Sequence, residues 1–388
     1  MIKKIVIAPD SFKETLTAAE AAQAIESGLR EVLPETIIYD KVPMADGGEG
    51  TMQSLHDALG GMMMPVKATD ALGRIIDAQY SYVEQSKTAI IELAEASGLE
   101  AIQPTERNPL VTSTYGTGQL ILSALNQGAE KIILGIGGSA TNDGGTGMMK
   151  ALGATFLDDK GDSLPEGGAA LAHLAQIDRS GIDTRLKDVT FEVVCDVDNP
   201  LLGTKGATHT YAKQKGASPK VIQQLETALT HYNQILTETF QHDYATVPGA
   251  GAAGGTGIAL VAFLDAELSR GIDIVLQETR LEARLKEADV CITGEGKIDQ
   301  QTIYGKTPIG VAKTAKQFAI PVVALCGVTG EGYEAVKAHG IDYVFSVTGL
   351  DDRPANSHPS ISKTEALAHP YHYLKALAQE AAQRLNMM

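Results

Sequence analysis

Tryptophan is absent from this 388-residue chain and aromatic residues of all kinds make up only 5% of it, which removes the stacking platforms on which single-stranded nucleic acids rest. Basic residues are outnumbered too. Against 48 Asp and Glu there are 32 Lys and Arg, a net charge of −16, and such a field repels nucleic-acid backbones and anionic membrane surfaces. No apolar run approaches the ~18 residues of a membrane span. The opening MIKKIVIAPD reaches Pro9 and Asp10 after a four-residue apolar stretch, which reads as a strand rather than a secretory leader. Cysteine is scarce: Cys195, Cys291 and Cys326 lie in short apolar runs with no close pair and no nearby histidine, as small buried strand residues of a reducing compartment do. The nine histidines form neither HExxH nor a Cys/His cluster, so zinc has no site. These absences describe a cytoplasmic protein without a nucleic-acid or membrane partner, and nothing in the sequence argues for homo-oligomers.

What is present is glycine, 40 residues of it, in a chain 44% apolar and 21% charged. That composition is globular, the length suits two domains, and so much glycine suggests backbone lying close to ligands. Short apolar runs bounded by Gly, Pro or Asp alternate with helical-period stretches, the texture of βα units around a parallel sheet. KKIVIAPD, a helix over Thr17 to Val32, IIYDKVPMAD and a helix over Met52 to Leu59 make a doubly wound beginning. The texture returns in ADVCITGEG, IPVVALCGVTG and DYVFSVTGL, with a final helix from about His369. The expected organisation is a discontinuous α/β domain, 1–64 plus 288–388, with a second α/β domain, 65–287, inserted in it. The ligand site is expected in the cleft between them.

Three glycine pairs precede helix-compatible segments: Gly47 and Gly48 in GGEG, Gly144 and Gly145 in GGTG, Gly254 and Gly255 in GGTG. Converging backbone N–H groups at a helix start cradle anions, although Gly-Gly also simply permits a tight turn. Asp46 and Asp143 stand directly before two of these pairs. A carboxylate there either caps the helix or serves phosphoryl transfer, as a magnesium ligand or as the acceptor of a hydroxyl proton. In CDVDNPLLG, Asp196 and Asp198 alternate along an extended run and suit one shared cation. ITGEGKIDQQT puts Glu295, Lys297 and Asp299 in a loop after a strand, at the sheet edge where open α/β sheets bind ligands. Asp10, Ser11 and Lys13 follow the first strand at the same edge, with Lys13 a compact cation for an anionic substrate.

Two motifs fail or half-match. GKT at Gly305 to Thr307 resembles the end of a P-loop, but the required first glycine is Gln300. GIGGSA at Gly135 to Ala140 matches the dinucleotide fingerprint after a strand, and keeps an NAD(P)-dependent oxidoreductase of a small hydroxy acid in play. A non-catalytic ligand-binding sensor is the third class.

Seven segments in order, IAPDSFKETLTAAEAA, PMADGGEGT, GIGGSATNDGGTGM, CDVDNPLLG, GAGAAGGTG, ITGEGKIDQQT and GKTPIGVA, make the chain resemble the type 1 glycerate kinase family over nearly its whole length. The resemblance implies a flavodoxin-like (Rossmann-like) parallel-sheet domain carrying an inserted α/β domain. It also implies ATP-dependent phosphorylation of D-glycerate with Mg²⁺, giving 2-phosphoglycerate in most members and otherwise the 3-phosphate. On that reading the expected catalytic residues are Asp143, Asp46 and Lys297, with either aspartate as base. Asp10, Ser11, Lys13 and Asn142 would bind substrate. Gly47, Gly48, Gly137, Gly138, Ser139, Gly254, Gly255, Gly294 and Gly296 would bind the nucleotide, and Asp196, Asp198 and Glu295 the metal.

Overall fold

The computed structural model of the chain describes residues 2–45, 51–349, 351–353 and 361–385. Two compact units emerge, one of Met1–Asp46, Gln53–Gly60 and Gly271–Met388, the other of Gly47–Met52 and Gly61–Arg270.

The first unit is built on a five-stranded sheet in which Tyr343–Thr348, Val322–Thr329, Val290–Ile298, Lys4–Pro9 and Ile38–Lys41 lie side by side in that order, every pair parallel. Numbered within the unit, the order is 2-1-3-4-5, the flavodoxin-like arrangement. A parallel sheet is covered on both faces, so its inner strands are apolar throughout rather than alternating; Ile5, Val6, Ile7 and Ala8 are all fully buried. On one face the helices Ala18–Arg30 and Pro370–Leu385 pack over Ile5, Ile7, Ile292 and Leu325. The first of these helices is started by a reciprocal cap, in which Thr17 accepts from Glu20 N–H and the Glu20 carboxylate accepts from Thr17 N–H. On the other face lies Thr307–Lys316, with Pro308 near its start, where a missing N–H costs nothing.

One strand departs from expectation in a way that matters for chemistry. Glu295 and Lys297 do not sit in a loop: the strand Val290–Ile298 continues past Gly294 and Gly296, pairing Glu295 with Cys326 and Lys297 with Val328. Glycine disfavours strand, but Gly294 is held here because a Cβ would fall 2.0 Å from the Leu325 carbonyl oxygen. The neighbouring strand therefore tolerates only glycine.

The second unit carries a six-stranded mixed sheet, ordered Glu267–Ser269, Thr190–Val194, Lys131–Gly135, Thr88–Glu92, Ile75–Val83, Met62–Thr69. The first four run parallel and the last two join antiparallel. Its core gathers Leu120, Ile132, Leu134, Met148, Phe156, Leu229 and Ile258 from strands and from helices that include Tyr115–Gln127, Pro219–Phe240 and Ala252–Leu264. Among the described residues no helix is long and apolar enough to cross a membrane. Cys291 and Cys326 are buried strand residues, and burial pushes both thiols up to about 12.

Candidate active site

In a 2-1-3-4-5 sheet the chain turns to opposite faces after strands 1 and 3, which opens a crevice beyond their carboxyl ends. Here Asp10 directly follows the first of those strands, Lys4–Pro9, and Glu295 lies in the carboxyl-terminal half of the other, Val290–Ile298. Asp10 is buried, donates its N–H to the Gly294 carbonyl at 2.8 Å, and accepts from Ser11 N–H at 2.6 Å and from the Thr307 hydroxyl at 2.6 Å. Glu295, also buried, accepts from the Thr302 hydroxyl at 2.8 Å and lies 3.2 Å from Lys306 Nζ. Burial lifts the Glu295 carboxyl to about 7, and the Asp10 charge adds to this; Lys306 and Thr302 pull the other way and only partly offset it. Asp299 is its opposite. Exposed enough to be hydrated, it pairs with Lys297 at 2.6 Å and caps the turn Gln300–Tyr304, and its carboxyl is held below the usual range.

Asp10, Glu295, Lys297 and Lys306 line a cavity of ≈ 380 Å³. Ser11, Lys13 and Glu14 enter from a hairpin-like turn anchored by the buried pair Phe12 and Leu16, with Glu14 at the tip in a left-handed conformation (φ 67°). Lys13 is exposed there and makes no ion pair among the described residues. Gly296 opens onto the same space. The structure thus brings together Asp10, Ser11, Lys13, Glu295, Gly296 and Lys297 of the expected site residues, and adds Lys306, which sequence reasoning set aside with the failed P-loop motif. GKT is no P-loop, yet Lys306 is the N-cap of the ten-residue helix Thr307–Lys316, and Thr307 holds Asp10.

In the second unit the expected residues separate by role. Asp143 is fully buried and its carboxylate accepts from Thr114 N–H and Oγ1, both at 2.8 Å, and from Gly145 and Gly147 N–H, both at 3.2 Å. Burial raises its pKa against the pull of the Thr114 hydrogen bonds. It is the hub of the turn rather than a group facing solvent. Gly254 and Gly255 take positive φ, 68° and 88°. A Cβ on Gly254 would fall 2.0 Å from the Thr141 carbonyl oxygen, and Gly144 N–H donates to the Gly254 carbonyl. The two GGTG turns therefore pack on each other, and close backbone approach accounts for these glycines without a ligand. Asn142 is fully buried, donates to Thr208, and leaves its own carbonyl oxygen without a partner.

A second cavity, of ≈ 240 Å³, is lined by Gly137, Gly138, Ser139, Asp196 and Lys215 among others. Lys215 is a residue the sequence did not announce, since QKGAS reads as surface. It is 1% exposed, donates to Ser139 Oγ and the Thr141 carbonyl at 2.7 Å each, and burial depresses its pKa to about 7. The dinucleotide fingerprint loses its context here: after the strand Lys131–Gly135 the next helix begins only at Thr146, so no helix N-terminus follows GIGGSA. Asp46, Gly47 and Gly48 lie outside the described residues.

No group of three or more His, Cys, Asp or Glu able to hold a metal occurs among the described residues. Glu295 belongs to the first unit, whereas Asp196 and Asp198 belong to the second. Magnesium carried in with phosphates needs only one or two protein carboxylates. Asp196 and Asp198, both exposed and both acting on the nearby Cys195 thiol by charge, match that donor chemistry.

A model of the glycerate kinase family matches residues 5–386. The chain is 54% identical over 343 residues to a glycerate kinase of Halalkalibacterium halodurans, covering 88% of this chain and 90% of that one. It is 47% identical over 384 residues to a glycerate kinase of Bacillus subtilis, covering 99% and 98%, and 50% identical over 344 residues to a glycerate 2-kinase of Escherichia coli, covering 89% and 90%. A crystal structure from Salmonella typhimurium LT2, described as a candidate glycerate kinase 2, superposes with a TM-score of 0.89 at 45% identity, covering 100% of this chain and 99% of that one.

Proposed function

The chain belongs to the glycerate kinase family and is a kinase that uses ATP, and we propose that it phosphorylates D-glycerate at the 2-hydroxyl, giving 2-phosphoglycerate and ADP. The observation that carries the reading is the buried pair Asp10 and Glu295 with Lys306 at the switch point of the first unit's sheet. Phosphoryl transfer asks the protein for positioning and charge stabilisation more than for covalent chemistry. The substrate hydroxyl must lose a proton as its oxygen bonds the γ-phosphorus and the bond from that phosphorus to the bridging oxygen breaks. Glu295, with its carboxyl near 7, is matched to accept that proton at neutral pH.

Lys306 and Lys297 supply positive charge to the transferred group. Lys13, on its exposed turn, holds the glycerate carboxylate, and Ser11 lies beside it on the same turn. In the second unit Asp143 is a positioning residue that fixes the turn Thr141–Gly147, and Lys215 fixes Ser139. Asp196 and Asp198 of the second unit would hold magnesium, an ion that would supply neutralising charge to phosphate oxygens.

The test is direct. Purified protein given ATP, Mg²⁺ and D-glycerate should release ADP in step with one new phosphate ester, which phosphorus NMR identifies as 2-phosphoglycerate. No D-glycerate-dependent ADP would overturn the activity, and a 3-phosphate ester would overturn the regiochemistry.

A further inference from the structure

The ≈ 380 Å³ cavity has two unlike ends, and a three-carbon hydroxy acid can account for only one of them. D-Glycerate carries a polar oxygen on every carbon, so it suits the lining built from Asp10, Ser11, Lys13, Lys297 and Lys306. The far end is walled by Val347 and by residues of the last two helices, Lys363–Ala368 and Pro370–Leu385. Leu367 is 51% exposed there, and the Tyr373 ring completes the wall. Glycerate has no apolar surface to cover these groups.

We propose that this apolar end receives the adenine ring of ATP, packed against Val347, Leu367 and Tyr373, with the triphosphate running toward Lys297 and Lys306. The assignment rests on the kinase activity above and names where its nucleotide lies. Charge agrees with it. Although the whole chain carries −16, the cavity is lined by four lysines (13, 297, 306, 363) and three carboxylates (10, 14, 295), a local surplus of one positive charge. Topology agrees as well, because ligands of 2-1-3-4-5 sheets bind at this switch point. The helix that starts after Lys306 adds its partial positive charge where phosphate would arrive. The second unit holds cavities of ≈ 240 Å³ and ≈ 540 Å³, and the larger is lined by three carboxylates (183, 265, 267) against one lysine (187), the wrong sign for a triphosphate.

Photolabelling of the intact protein with 8-azido-ATP reads the base position without any mutation. Label is expected in peptides spanning 343–349 or 361–374, suppressed by ATP and untouched by D-glycerate; label confined to other peptides would refute the assignment. Leu367→Asp and Tyr373→Ala are expected to raise KM for ATP about 10-fold or more, the loss of one base-stacking wall, with KM for D-glycerate within about twofold. Unchanged KM for ATP in both variants, or a change confined to glycerate, would equally refute it. Wild-type protein that releases no ADP with D-glycerate would instead overturn the activity, whereas active protein labelled elsewhere overturns only the nucleotide position.

Discussion

Glu295→Gln separates what Glu295 does for the fold from what it does for the reaction. The carboxyl has a pKa of about 7 in the folded chain against 4.5 for an ordinary glutamate, so the folded state prefers the proton. Its sign follows: the group favours folding below pH 4.5 and loses that contribution as pH rises through 7. The gap of about 2.5 pKa units corresponds to roughly 3 kcal/mol, of which roughly 2 kcal/mol falls between pH 5.5 and pH 8 by the same linkage. Glutamine can still accept the Thr302 hydroxyl at the oxygen that now stands 2.8 Å away, and it removes the titration. Urea unfolding of both proteins across this range should therefore show wild type losing roughly 2 kcal/mol relative to the variant, followed by tyrosine signals because no tryptophan exists. Meanwhile kcat of the variant should fall by about 10²- to 10⁴-fold, the usual worth of a general base. The wild-type rate should climb as pH passes about 7. Parallel stability curves together with a retained kcat would refute both halves of the reasoning.

Lys13→Ala should raise KM for D-glycerate about 10- to 100-fold, the loss of one charge-assisted hydrogen bond, and leave KM for ATP nearly unchanged; steady-state kinetics with each substrate varied decides it. Asp143→Asn turns an acceptor of four donors into a group with an N–H₂ facing some of them, and should lower stability by about 2–4 kcal/mol in a denaturant titration. A stable variant with only its rate abolished would instead make Asp143 the base. Lys215→Met acts with the opposite pH sign to Glu295: a lysine depressed to about 7 contributes its full stability only at high pH and loses it as pH falls through 7. The variant's thermal midpoint should therefore fall less than wild type's between pH 9 and pH 6.

Much of the first unit was legible because buried parallel strands announce themselves as unbroken apolar runs. The helix Ala18–Arg30 begins and ends within about two residues of the expected Thr17 to Val32. The strand through Glu295 was not legible past Gly294, since local propensity argues against strand there and only pairing with Val322–Thr329 sustains it. The 22-residue helix Pro219–Phe240 went unforeseen although Ser218 and Pro219 are start signals. At the site, residue types at strand ends could be read, but their partners could not. Nothing local says that Thr307 reaches Asp10, that one GGTG turn packs on the other, or that Lys215 is buried under Ser139. Each of these contacts spans more than 70 residues of sequence.

The most direct measurement is a crystal structure of the protein with a non-hydrolysable ATP analogue and D-glycerate. The account predicts the adenine between Leu367 and Tyr373, the γ-phosphate within hydrogen-bonding reach of Lys306, and the glycerate 2-hydroxyl on Glu295. A nucleotide bound away from the carboxyl ends of Lys4–Pro9 and Val290–Ile298 would contradict it.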